Sequence, residues 1–229
     1  MEISSRLKLI GEIIDEGEII ADIGTDHAYL PIYLLKNNCQ MKFIASDVNK
    51  GPLEKAISNI KMYGFQDKIE CRLGSGLNVL REGEADAAII AGMGGNLIRD
   101  IIEERLDIFK TLKYAVLQPV QNPDILRKYL YEQGFNILGE QLCIDENKYY
   151  EIIKVCYASK KQKKDDLYYE ISEKLIAMKH PLLKEYIEYK IEKYHKIYKN
   201  IGEVTENALN RKEELNTKIH KLKGLLSCL

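Results

Sequence analysis

The stretch that most constrains the fold is Ile19-Ile20-Ala21-Asp22-Ile23-Gly24-Thr25-Asp26-His27-Ala28-Tyr29-Leu30-Pro31. An apolar run of strand length stops at a carboxylate and a glycine, and the chain then enters an apolar, helix-compatible segment from Tyr29 to Leu35. This is a strand, a tight turn and a helix start. In an α/β fold such a turn aims helix N-terminal N–H groups and flexible backbone at a crevice suited to a nucleotide-like ligand. Of the pattern G-x-G-x-x-G only Gly24 is present, with Asp26 and Ala28 at the next two alternate places. A pyrophosphate would meet the charge of Asp26, which argues against a dinucleotide and for a ligand carrying a cation or an ammonium group.

The rest of the chain extends this unit. Ile3, Leu7, Ile10, Ile13 and Ile14 recur at helical spacing, so a helix over 3–14 precedes the strand 19–23. A helix through Pro31 to Lys36 follows, then a strand Lys42–Asp47, a helix from Pro52 to Tyr63 closed by Gly64, and a short strand Ile69–Leu73. Ala87–Ala91 reads as a fourth strand ending in Gly92-Met93-Gly94-Gly95, with a helix Leu97–Leu106 after it. Tyr114–Gln118 is a fifth strand, 123–133 a helix closed by Gly134, and Asn136–Leu142 and Tyr149–Tyr157 two strands joined by the turn Asp145-Glu146-Asn147. Alternating strands and helices imply a mostly parallel, doubly wound sheet. The last two strands have no helix between them and should form an antiparallel hairpin at the sheet edge, as in the Rossmann-like class I methyltransferase sheet.

After Ala158 the run Ser159-Lys160-Lys161-Gln162-Lys163-Lys164-Asp165-Asp166 contains no apolar residue and reads as a linker. Beyond Pro181, Leu183, Ile187, Ile191, Tyr194, Ile197 and Ile201 lie three or four apart; Gly202 interrupts, and Ala208, Leu215, Ile219, Leu222, Leu226 and Leu229 resume the stripe. Two such helices suggest an antiparallel coiled-coil hairpin. The expected organisation is a ligand-binding α/β domain over 1–158 and a helical appendage over 159–229. Charge separates the two parts: the whole chain of 229 residues has a net charge of −1, but 160–229 carry +5 and 1–159 carry −6. A basic appendage on an acidic domain suits a large anionic substrate, although solvated lysines on helices give the same count.

Other classes are disfavoured. No run approaches the roughly 18 to 20 apolar residues of a membrane span, and the start of the chain, with Glu2 and Arg6, has no signal-peptide core; a cytoplasmic, soluble protein is expected. The five cysteines are scattered without a C-x-x-C pair, so neither a disulfide framework nor a metal site is expected.

Candidate ligand residues sit at strand ends. Asp47, before Val48 in Ala45-Ser46-Asp47-Val48, can accept both hydroxyls of an adenosine ribose. Asp22 and Gly24 fit the amino-acid part of S-adenosylmethionine, whose sulfonium and ammonium suit this acidic loop. Gly74 and Ser75 in Leu73-Gly74-Ser75-Gly76-Leu77 would lie beside the adenine, and Ala91 and Gly92 at the methyl end. Three glycines around Met93 leave room for a flat base against a soft side chain. Asp26 could instead cap the following helix, and Asp22 could simply tie down its turn.

These segments, with Gly51-Pro52-Leu53, Leu117-Gln118-Pro119, Tyr149-Tyr150-Glu151-Ile152-Ile153 and the helical hairpin, resemble the bacterial tRNA (adenine(22)-N1)-methyltransferase family over essentially the whole chain. The resemblance implies transfer of a methyl group from S-adenosyl-L-methionine to N1 of an adenine in the D-arm region of tRNA. For that reaction Asp26, His27, Tyr29 and Met93 are the candidates at the reacting base, and Asp22, Gly24, Asp26, Asp47, Val48, Gly74, Ser75, Ala91 and Gly92 those around the cofactor. Arg6, Lys190 and Lys193 are candidate RNA contacts, and a monomer or weak dimer without metal is expected. The family usually has Asp where this chain has Ser75, which predicts a weaker cofactor contact there. Rivals are a methyltransferase of a protein or small molecule and a non-catalytic protein that binds the cofactor and RNA.

Overall fold

A computed structural model describes residues 1–15, 17–37, 39–202 and 205–229. They form two compact units, 1–163 and 164–229. The first opens with helix α1 (Ser5–Glu12), capped by the Ser4 hydroxyl accepting from Leu7 N–H. Strand β1 (Ile19–Ile23), helix α2 (Tyr29–Lys36), strand β2 (Lys42–Asp47), helix α3 (Lys50–Tyr63) and strand β3 (Ile69–Leu73) follow. All three strands have the bounds expected from the sequence. Gly64 closes α3 in the left-handed conformation, with φ 75°.

Strand β4 (Ala87–Gly94) leads into helix α4 (Gly95–Glu104), and a break at Arg105 separates this from helix α5 (Leu106–Thr111). The single helix expected over 97–106 is thus two, the second starting where the first was expected to end. Strand β5 (Tyr114–Gln121), helix α6 (Pro123–Glu132) and strands β6 (Phe135–Asp145) and β7 (Lys148–Tyr157) complete the unit. The sheet order is β3-β2-β1-β4-β5-β7-β6, parallel except for the antiparallel pairings of β7. The doubly wound sheet with an antiparallel edge hairpin is therefore the observed fold. Between β1 and β4 the strand order reverses, which opens a crevice at their carboxyl ends.

Central strands are buried on both faces, as parallel strands covered by helices require: Ile20, Phe43, Ile89 and Val116 are all at most 1% exposed. Arg127 of α6 is a large cation in this interior, fully buried and paired with Glu140 of β6 and Glu151 of β7. Ala158 and Gln162 donate backbone N–H bonds to Gly134 and Tyr131, so the polar segment begins attached to the end of α6.

The second unit consists of helices α7 (Asp166–Glu170), α8 (Glu173–Ala177), α9 (Leu183–Asn200) and α10 (Glu206–Leu226). Leu183, Ile187 and Ile191 of α9 and Leu215, Ile219 and Leu222 of α10 are buried, and the two helices form a hairpin. Among the described residues no helix is long and apolar enough to cross a membrane.

Candidate active site

At the end of β1 the chain turns at Gly24, with φ +73°, and a Cβ there would lie 2.1 Å from Cε of Met93. Only a glycine lets the methionine methyl rest on the backbone at this point. Just before it, Asp22 is buried and accepts the Thr25 hydroxyl at 2.6 Å, while Thr25 N–H donates to Ser46 O at 2.7 Å and ties the turn to β2. Burial pushes the Asp22 carboxyl up to about 6; the Thr25 bond opposes this and the nearby Asp26 charge adds to it. A cationic group beside Asp22 would relieve that penalty.

The next residues are held in an uncommon shape. His27 and Ala28 both have φ 58°, which costs an L-residue about 1–2 kcal/mol each. Local and distant bonds compensate. Tyr29 N–H donates to Asp26 O at 3.2 Å, Asn59 Nδ2 of α3 donates to His27 O at 3.0 Å, and His27 Nε2 lies 3.2 Å from Asp26 Oδ1. The His27 and Tyr29 rings stack with centroids 5.3 Å apart and an interplanar angle of 6°. The turn thereby presents the Asp26 carboxylate outward, its side chain 78% exposed.

The opposite wall comes from β2 and β3. Asp47 Oδ1 accepts Asn49 N–H at 2.7 Å, and its own carbonyl accepts Gly74 N–H at 3.0 Å. A Cβ on Gly74 would lie 2.6 Å from Val79 Cγ1, so the loop follows the strand end closely only because the residue is glycine. Val48, Leu97 and Ile101 add apolar surface beside Ser75.

The third wall is the irregular end of β4. The register with β5 shifts on either side of Met93, and Gly92, with φ +78°, donates its N–H to Gln118 Oε1 at 3.1 Å. The same oxygen accepts from Nη1 of Arg6, whose guanidinium carbon stands 5.6 Å from the Tyr150 ring centre.

A cleft of about 610 Å³ joins these walls. Arg6, Asp22, Gly24, Asp26, Asp47, Val48, Gly74, Ser75, Ala91, Gly92 and Met93 all line it; His27 and Tyr29 form the turn beside it without lining it. S-adenosylmethionine fits this donor set: a strand-end carboxylate for the ribose hydroxyls, small-residue cradles where a Cβ would intrude, an apolar slot for a ring, and carboxylates for a cationic tail. Among the described residues no cluster of side chains could hold a metal ion.

Two RNA candidates lie in the helical unit and differ sharply. Lys193 is exposed on α9. Lys190 is 6% exposed and its ammonium donates to Glu170 Oε1 at 2.6 Å and to the Glu170 carbonyl at 3.0 Å. It is a structural cation inside the hairpin and not a surface contact for RNA. Burial alone would raise the Glu170 carboxyl, but Lys190 and Lys218 hold it well below the usual range, and Tyr194 donates to it as well. Its burial is not legible in the local sequence because its partner lies twenty residues away on α7.

Sequence reasoning gave no role to Gln118, Asn59 or Tyr150. The available signal for Gln118 was a polar residue within the apolar run of β5, directly before Pro119. Asn59, a surface-type residue on α3, carried none.

Comparison with known proteins matches residues 20–224 to the family model described as TrmK, tRNA (adenine(22)-N(1))-methyltransferase. The chain is 37% identical over 153 residues to the tRNA (adenine(22)-N(1))-methyltransferase of Bacillus subtilis strain 168, an alignment covering 67% of this chain and 64% of that protein. The match thus spans slightly less than two thirds of that curated relative. The crystal structure of the B. subtilis m1A22 tRNA methyltransferase TrmK superposes with a TM-score of 0.87 at 29% identity, over 98% of this chain and 99% of that one. That of M. capricolum TrmK with S-adenosyl-homocysteine, its natural cofactor product, gives 0.84 at 26% identity, over 99% of each chain.

Proposed function

The chain belongs to the tRNA (adenine(22)-N(1))-methyltransferase family, and from that premise we propose that it methylates N1 of an adenine of tRNA, at position 22 in the D-arm region, using S-adenosyl-L-methionine. The observation that carries the reading is the convergence of Asp22, Asp26, Asp47, Gly92 and Met93 on one cleft at the carboxyl ends of β1, β2 and β4.

When bound, the cofactor supplies an electrophilic methyl group. Asp47 would hold its ribose, Val48, Ser75 and Leu97 would flank its adenine, and the carboxylate of Asp22 would face its cationic tail. Adenine N1 has an in-plane lone pair, so no general base is needed to make it nucleophilic; the demand is alignment and a partner for the positive charge the base acquires. Asp26, exposed on a stiffened turn and flanked by the stacked His27 and Tyr29, is our choice for that partner, with Met93 packing on the base. N1 is hidden in a Watson–Crick pair, so the base must be unpaired or turned out of its stack, at a cost of a few kcal/mol.

The segment 159–229 is proposed as the tRNA-holding appendage of the 1–158 methyltransferase domain. Its net charge of +5 and exposed lysines such as Lys193 on α9 support phosphate contacts, together with Arg6 at the cleft. The reading makes the protein a cytoplasmic enzyme acting as a monomer or weak dimer.

The deciding experiment incubates the purified protein with labelled cofactor and unmodified tRNA and identifies the modified nucleoside by mass spectrometry. The expected product is 1-methyladenosine in the D-arm, lost in Asp26→Ala. Cofactor binding without transfer to any tRNA, or a methyl group on another atom, would sink the substrate assignment.

A further inference from the structure

Gln118 is fully buried and does not itself line the cleft, yet its carboxamide is bonded to two residues that do, Arg6 and Gly92. Nε2 donates to Pro119 O at 2.9 Å, which leaves Oε1 to accept. That oxygen accepts two N–H groups: the Gly92 peptide at 3.1 Å, and the guanidinium of Arg6, 112 residues away in sequence. One amide thus fastens the cation of α1 to the bend at the end of β4.

The Gln118 amide and the Tyr150 ring, against which Arg6 rests, are both uncharged. The contrast with the fully buried guanidinium of Arg127 is informative. Arg127 is held between two carboxylates, which fix it and cancel its charge. An amide fixes a guanidinium by the same hydrogen bond and leaves the charge intact. Arginine carries five N–H donors, and Gln118 occupies one, so Arg6 keeps both charge and donors for the cleft it lines with Gly92 and Met93.

We propose that Gln118 is a positioning residue that holds Arg6, uncancelled in charge, as the docking point for an anionic oxygen of a ligand in this cleft. Two sources have that chemistry: a phosphodiester of the RNA that carries the acceptor base, or the carboxylate of the cofactor's amino-acid tail. Naming these sources rests on the methyl-transfer reading. The shared link to Gly92 keeps the docking point in register with the end of β4, so Gln118 acts through Arg6 and does not itself touch a reacting atom.

The test uses the full chain and binding measurements: calorimetry with S-adenosylhomocysteine, and fluorescence anisotropy with an unmodified tRNA transcript. Gln118→Glu keeps the shape, pairs with Arg6 and cancels its charge. It should weaken one anionic ligand about tenfold, the scale of one hydrogen bond to a charged group. Loss for tRNA alone assigns the phosphate; loss for S-adenosylhomocysteine alone assigns the carboxylate. Gln118→Met, which removes the anchor without adding charge, should weaken the same ligand in the parent and have no further effect in an Arg6→Ala background. Parental affinity of Gln118→Glu for both ligands would overturn the proposal, as would an undiminished effect of Gln118→Met without Arg6. These readouts need no turnover, so an absence of methyl transfer in the parent sinks the functional reading while the role of Gln118 is still decided by binding.

Discussion

Replacing Gly24 by alanine should be among the most damaging single-methyl changes in the catalytic unit, and the damage divides into two separable parts. The backbone at Gly24 has φ +73°, a conformation costing an alanine about 1–2 kcal/mol. The new Cβ would also lie 2.1 Å from Met93 Cε, far inside contact distance. Because the clashing atom is the end of a flexible side chain, Met93 can swing away, so the steric part should be that of ordinary overpacking, about 1–3 kcal/mol. Gly24→Ala should therefore lose about 2–5 kcal/mol in urea denaturation of the full chain. In a Met93→Ala background the obstructing methyl is gone, and only the backbone part of about 1–2 kcal/mol should remain. The coupling between the two sites is thus expected at about 1–3 kcal/mol. Additivity within about 0.5 kcal/mol would refute the contact between Gly24 and Met93 that shapes this part of the cleft.

Other expectations follow from buried charge. Asp22, raised from its ordinary 3.8 to about 6 in the fold, stays protonated over a window where the unfolded chain has already released its proton, so its unfavourable contribution is absent at low pH and fully present above about 6. Asp22→Asn, whose amide oxygen still accepts from Thr25, should match the parent near pH 4 and exceed it by up to about 3 kcal/mol near pH 7.5 in denaturation curves; a gap that shrinks as pH rises would contradict this. Arg127→Met leaves Glu140 and Glu151 facing each other in the interior and should cost about 3–5 kcal/mol, most of it regained when both glutamates are also made apolar. If Arg127→Met alone unfolds at the parent's urea midpoint, the triad does not hold the edge hairpin. Lys193→Ala should lower the salt dependence of tRNA binding by about one unit of slope, while Lys190→Met should lower the melting temperature and leave that slope unchanged; the reverse pattern would exchange their roles.

How much of this was readable from the chain depends on the sequence distance over which each feature is decided. Strands β1 and β2 are found at the bounds read from the chain, because a buried parallel strand declares itself by local apolar composition and stops at its own Asp or Gly. Strand β4 was expected to stop at Ala91 and β5 at Gln118, yet both continue, to Gly94 and Gln121, since a register shift around Met93 lets a glycine-rich segment that reads as loop keep pairing. Helices α7 and α8, five residues each, are too short to show a period inside a charged stretch, although Asp165 and Ser172 cap them. His27 and Ala28 take a conformation that sequence preference gives to glycine or asparagine, and part of the compensation arrives from Asn59, thirty-two residues on.

The same division runs through the cleft. Asp22, Asp47 and Gly92 are legible because strand-end chemistry is local: a carboxylate or glycine after an apolar run has few other uses in a doubly wound sheet. The residues that set geometry pair across the fold, Arg6 with Gln118 and Lys190 with Glu170, and nothing in the chain marks which residue each cation meets. Arg6 and Lys190 both looked like surface cations, and only the partner separates them. A carboxylate has absorbed the charge of one into the hairpin, whereas an amide leaves the charge of the other at the cleft. For a cation in this protein the chemical type of its distant partner, more than its own identity or exposure, decides whether its charge is available to a ligand.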